Sequence, residues 1–124
     1  MREILFRGRC LDGIWRCGDL VRTHPCECHI VTADLDDYND IEICFDDFVD
    51  YKTVGQFTGL KDKNGKKIFE GDILKIYEND IVNVIFENGS FYVENNIIYM
   101  PAYYYEKDAC EVIGNIHDNP ELIG

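Results

Sequence analysis

The run His24-Pro25-Cys26-Glu27-Cys28-His29 holds the densest set of metal-ligating side chains in the chain, with Cys10 and Cys17 upstream of it. Zinc would need four N or S ligands converging tetrahedrally. C-x-C followed at once by His is not a usual zinc spacing, and the upstream pair is six residues apart, so unligated thiols are expected and no metal or cofactor is assigned. The acidic stretch Asp34-Leu35-Asp36-Asp37-Tyr38-Asn39-Asp40 invites a calcium reading. An EF-hand loop wants an oxygen at position 5, Gly at 6 and Glu at 12. Here those places hold Tyr38, Asn39 and Phe45, and a solvated loop is the better reading.

Glu70 and Asp72 flank Gly71 and would serve as a carboxylate pair for hydrolysis. A turn entering a strand needs Gly and Asp for its own reasons, however. No Gly-rich phosphate loop, H-E-x-x-H or G-x-S-x-G is present. The three histidines (24, 29 and 117) lie in loop-like settings, and no Ser or Cys is paired with a base. The chain therefore reads as a protein without catalytic residues.

The remaining chemistry is charge. The chain has 124 residues and a net charge of −12. Residues 1–22 hold five Arg against three acids, and 27–50 hold nine acids with no Lys or Arg. Residues 51–67 hold five Lys against Asp62, and the remainder has eleven acids and two Lys. Affinity for nucleic acid comes largely from neutralising phosphates, so the molecule as a whole should repel it. Local basic patches remain: Arg7, Arg9, Arg16 and Arg22 near the N-terminus, and Lys61, Lys63, Lys66 and Lys67 around Asn64-Gly65. A protein partner or self-association is the first reading. Nucleic-acid binding through these cations is the second, and mimicry of DNA by the acidic 27–50 segment and C-terminal half is the third.

Strands must position these groups. No window shows helical spacing of apolar residues, whereas period-two alternation and two-residue turn signals recur. Asp12-Gly13 reads as a type I′ hairpin turn pairing Leu11 with Ile14, Cys10 with Trp15 and Gly8 with Cys17. That register gathers Ile4, Phe6, Cys10, Trp15, Cys17 and Val21 on a core face and the four arginines on the other. Ile41–Phe45 alternates as a strand, after a polar loop over 34–40. Asn64-Gly65 would pair Lys63 with Lys66, Asp62 with Lys67 and Leu60 with Phe69. Asn88-Gly89 would pair Phe86 with Phe91, Ile85 with Tyr92 and Val84 with Val93, with both phenylalanines in the core. Strands are also expected over 73–77 and 111–116, and the run Tyr103-Tyr104-Tyr105 should alternate across a strand. Four or five short strands between 68 and 116 suggest a small closed barrel. No apolar run reaches the ~20 residues of a membrane span. The N-terminus shows no apolar signal region, so the six cysteines read as free thiols, largely buried, in a cytoplasmic protein.

Three segments together resemble the YopX family of phage and prophage proteins. They are Leu5-Phe6-Arg7-Gly8 with Trp15, the block Thr53–Ile73 (TVGQFTGLKDKNGKKIFEGDI), and Val112–Leu122 (VIGNIHDNPEL). The resemblance implies a mainly β protein with an SH3-like barrel, a cytoplasmic location in a bacterial host, and no established activity. The expected organisation is an N-terminal β-hairpin region (1–52) packed beside an SH3-like barrel (53–118), with a tail at 119–124. In the central block Gly55, Gly59, Gly65 and Gly71 suit turns and close backbone approaches, as Gly89 does in the last hairpin.

Overall fold

The computed structural model describes residues 3–31 and 48–123. The acidic loop over 34–40, the strand at 41–45, Cys44 and the calcium-like run lie outside the described residues. The described chain is mainly β, in antiparallel pairs, and divides into two compact units at Gln56/Phe57. No described helix is long and apolar enough to cross a membrane.

In the first unit, β1 (Phe6–Arg9), β2 (Trp15–His24), β3 (Glu27–Val31), β4 (Phe48–Val49) and the start of β5 (Gly55–Lys61) take the order β4-β3-β2-β1-β5. Cys10, Cys28, Ile30 and Val49 form its core, with Phe6, Leu20 and Val54 packed against them. The β2–β3 hairpin, which the spacing did not predict, turns at Pro25-Cys26, inside the His/Cys run.

The first hairpin forms where expected, but its register differs by one residue. The observed pairs are Phe6 with Gly18, Arg7 with Cys17, Gly8 with Arg16 and Arg9 with Trp15. The cause is loop length. The Gly13 N–H donates to the Cys10 carbonyl and the Cys10 N–H donates to the Ile14 carbonyl, both at 2.9 Å. This is a three-residue loop, a type I turn closed by Gly13 at φ +87°, instead of a two-residue type I′ turn. The Asp12 carboxylate accepts the Ile14 N–H and helps hold that form. Because side chains alternate with period two, a one-residue slip moves each of them to the opposite face.

The second unit begins within β5, whose later residues pair with β6 (Lys67–Phe69). The Asn64-Gly65 hairpin repeats the correction. The Gly65 N–H donates to Asp62 O and the Asp62 N–H to Lys66 O, so Lys61 pairs with Lys67. Phe69 pairs with Phe57 instead of Leu60 because β5 bulges at Gly59, which sits at φ +87°. The Thr58 hydroxyl bridges the bulge, donating to Ile68 O and accepting the Leu60 N–H.

A five-stranded sheet follows: β7 (Asp72–Ile76), β8 (Asp80–Glu87), β9 (Ser90–Glu94), β10 (Tyr99–Pro101) and β11 (Cys110–Asn115), in the order β10-β9-β8-β7-β11. Its edge strands β10 and β11 do not pair with each other, so the described strands form no closed barrel. The expected SH3-like closure is corrected to an open sheet on this ground.

The Asn88-Gly89 hairpin has the expected register, with Phe86 opposite Phe91, Ile85 opposite Tyr92 and Val84 opposite Val93. Asn88 and Gly89 both adopt positive φ, as a type I′ turn demands. The expected burial of Phe86 is corrected: it stays 47% exposed near the hairpin tip, whereas Phe91 is 7% exposed in the core. The tyrosine run is not a strand either. Pro101 precedes a 3-10 turn over Ala102–Tyr104, which leaves Tyr103 and Tyr104 exposed and packs Tyr105 against the core.

Candidate functional site

The observed register brings Trp15 to the same face as Arg7 and Arg9. Arg7 and Arg9 are two residues apart on β1, so both project from one face. Trp15 stands opposite Arg9 and diagonal to Arg7, on that same face. The Arg7 guanidinium carbon lies 4.9 Å and that of Arg9 6.0 Å from the indole centroid. Both distances are within cation–π range, where each contact contributes about 0.5–2 kcal/mol. The result is a cation–aromatic–cation ladder across two hydrogen-bonded strands.

The four arginines therefore do not share a face. Arg16 turns to the core side, where its Nε donates to the Cys10 Sγ at 3.1 Å. Arg22 is exposed near the far end of β2, opposite Cys28 and on the same side as Arg16. Lys63 and Lys66 belong to the second unit. Lys63 pairs with Glu111 at 3.3 Å, and Lys66 contributes its backbone N–H to Asp62. Gly59, Gly65, Gly71 and Gly89 stand at φ between +79° and +91°, while Gly55 opens β5 opposite Arg7.

The side chains weighed for catalysis or metal are occupied or dispersed. Cys28 is fully buried in the first core, Cys26 is exposed in the turn with its N–H directed at His24 Nδ1, and His29 is buried against Phe48. Among the described residues no three His, Cys, Asp or Glu side chains converge as a metal site would require. Asp72 is buried and accepts the Phe69 N–H at 2.7 Å, so it caps the turn beside Gly71.

Asp62, which no motif singled out, is a heavily engaged carboxylate. It is 1% exposed and accepts the backbone N–H groups of Asn64, Lys66 and Val112 at 2.9, 2.9 and 3.0 Å. Burial raises its pKa, but the three N–H donors and the Lys66 charge outweigh that and hold it below the ordinary carboxylate value. Its position before a turn Asn-Gly was the available signal, since Asp at the first place of a type I turn binds the backbone ahead of it. The Cys110 thiol is pushed up by burial and then by the Asp62 charge, which keeps it protonated and a poor nucleophile.

Against known proteins, the family model described as YopX protein matches residues 18–124. The chain belongs to the YopX family. The matched span starts at Gly18, just beyond the Arg7–Trp15–Arg9 ladder, and takes in all of the five-stranded sheet. Among solved structures, this YopX-family chain is similar to protein EF1440 from Enterococcus faecalis, with 25% identity, a TM-score of 0.66 and 100% of both chains covered. No functionally curated protein matches the chain.

Proposed function

We propose that the chain is a non-catalytic binding module that holds an acidic, aromatic-bearing segment of a protein partner, or of a second copy of itself. The Arg7–Trp15–Arg9 ladder is the anchor, and Trp15 lying within reach of two guanidiniums on one sheet face carries the reading. Guanidiniums engage carboxylates through paired N–H donors, and a half-buried indole offers a planar surface to a ring. The engagement of Asp62 and Asp72 by backbone N–H groups, and the protonated Cys110 thiol, support binding over catalysis. A phage or prophage setting and a cytoplasmic location, with no membrane partner, complete the proposal and rest on the family.

The same ladder favours one second reading. Stacking on an aromatic beside cations is how proteins hold single-stranded nucleic acid, and each stacked base contributes about 1–3 kcal/mol. The net charge of −12 weighs against it. Trp15 is the chain's single tryptophan, so its fluorescence reports on the ladder directly. The test is titration with a Glu/Asp-rich peptide containing Phe, and separately with oligothymidine, at low and moderate salt. Quenching by the peptide, weakened about tenfold in Arg9→Ala, is expected for a contact of one charge-assisted pair. Quenching by oligothymidine alone, with steep salt dependence, would select the second reading. No quenching by either, and identical pull-down partners for wild type and Arg9→Ala, would overturn both.

A further inference from the structure

The second unit contains a cavity of about 310 Å³ that the arginine ladder does not use. Leu60, Ile68, Leu74, Ala102 and the buried Cys110 line it. Gly59 also lines it, at the bulge where β5 stops pairing residue by residue with β6 between Phe57 and Lys61. The hairpin side is braced against β11, where the Lys63 N–H donates to Cys110 O and the Val112 N–H to Asp62.

The rim has the opposite character. Exposed Lys61 and Lys107 line it, along with Tyr105. Beyond residue 67 the chain has two lysines against eleven acids, and one of the two stands here. Among the described residues, neither Lys61 nor Lys107 takes part in an ion pair, whereas neighbouring Lys63 is matched to Glu111. The Tyr105 hydroxyl stays protonated, since burial and then the Tyr104, Asp80 and Tyr77 side chains raise its pKa, and it is a donor. The volume falls at the lower end of small-molecule sites, which run from roughly 300 to 1,000 Å³.

We infer that this cavity binds a small carboxylate with an apolar body, such as a medium-chain fatty acid, its chain among Leu60, Ile68 and Leu74 and its carboxylate between Lys61 and Lys107. Apolar walls alone would accept any hydrocarbon; the two unmatched ammonium groups select the anion. This site is independent of the ladder in the first unit.

The test uses octanoate, octanol and octyltrimethylammonium on the full chain, followed by calorimetry and by amide shifts in a ¹⁵N spectrum. Octanoate is expected to bind and to shift Leu60, Ile68, Leu74, Ala102 and Cys110. Octanol should bind more weakly and the cation not at all. Lys61→Gln/Lys107→Gln, two surface changes that leave the fold intact by circular dichroism, should weaken octanoate about five- to tenfold, as loss of two exposed ion pairs would. They should leave octanol unchanged. Equal affinity for octanoate and octanol, shifts confined to other residues, or full affinity in the double variant would each overturn the inference.

Discussion

Replacing Asp62 tests how the central block holds the second unit together. Its carboxylate accepts three backbone N–H groups, two inside its own loop and one from Val112 fifty residues away. A hydrogen bond to a charged group contributes about 1.5–3 kcal/mol net. In Asp62→Ala water can reach the two loop donors, whereas the Val112 N–H is left without its partner. A loss of about 3–5 kcal/mol is therefore expected, a large part of the ~5–15 kcal/mol of a whole domain. For a chain of this size that is a fall of roughly 10–20 °C in Tm. Asp62→Asn keeps an oxygen for the loop donors but turns an NH2 toward the Val112 N–H, so its loss should be about half as large.

Acid gives the sharper test. Asp62 has a lowered pKa in the fold, so the unfolded chain takes up its proton first, near the usual value of about 3.9. The carboxylate's contribution is full above that value and is lost as pH falls through the folded pKa. Thermal melts of wild type and Asp62→Asn at neutral pH and near pH 3 should therefore show a gap that shrinks with acid. If the gap is absent at neutral pH, or widens in acid, the assignment of Asp62 as an ionised backbone clamp is wrong.

The other expectations are simpler. Phe91→Ala should destabilise by about 3–5 kcal/mol and Phe86→Ala by only about 1 kcal/mol in denaturant unfolding, because the first ring fills the core and the second stays half exposed; equal effects would contradict the observed packing. Iodoacetamide should label Cys17 and Cys26 in the native protein and spare Cys10, Cys28 and Cys110 until unfolding, as read by peptide mass mapping. Gly65→Val should lower stability by about 1–3 kcal/mol and Gly65→Asn by less, since the loop closes through positive φ at that position; a neutral valine would refute the three-residue loop. Arg7→Ala/Arg9→Ala should shift the Trp15 emission maximum in the unliganded protein, because both guanidiniums lie within cation–π range of the indole.

Family membership was legible in the central block Thr53–Ile73, and the mainly β class was legible in the alternation. The Asn88-Gly89 hairpin was read to the residue, since Val84, Ile85 and Phe86 find apolar partners in only one register. The β2–β3 hairpin is not legible in the sequence because its turn, Pro25-Cys26, carries no Gly or Asn and sits within residues that resemble a ligand cluster. The tyrosine run reads as a strand because nothing local announces a 3-10 turn except Pro101 before it. The pairing of Phe86 with Phe91 alone points to the core, but burial depends on how far the hairpin tip extends past the sheet.

The turn dipeptides by themselves determined where the chain reverses: at Asp12-Gly13, Asn64-Gly65 and Asn88-Gly89. They did not determine how many residues each reversal takes. Two-residue and three-residue loops both end in a glycine at positive φ, and the choice between them depends on contacts beyond the dipeptide. Asp62 is held from Val112, on a strand fifty residues away, and the Cys10 loop is held where Cys10 meets Val49 and Arg16. A difference of one residue there decides which face each side chain takes, because the strand period is two. The sequence supplied the arginines and the tryptophan; the length of the loop in the folded hairpin put Trp15 on the face of Arg7 and Arg9.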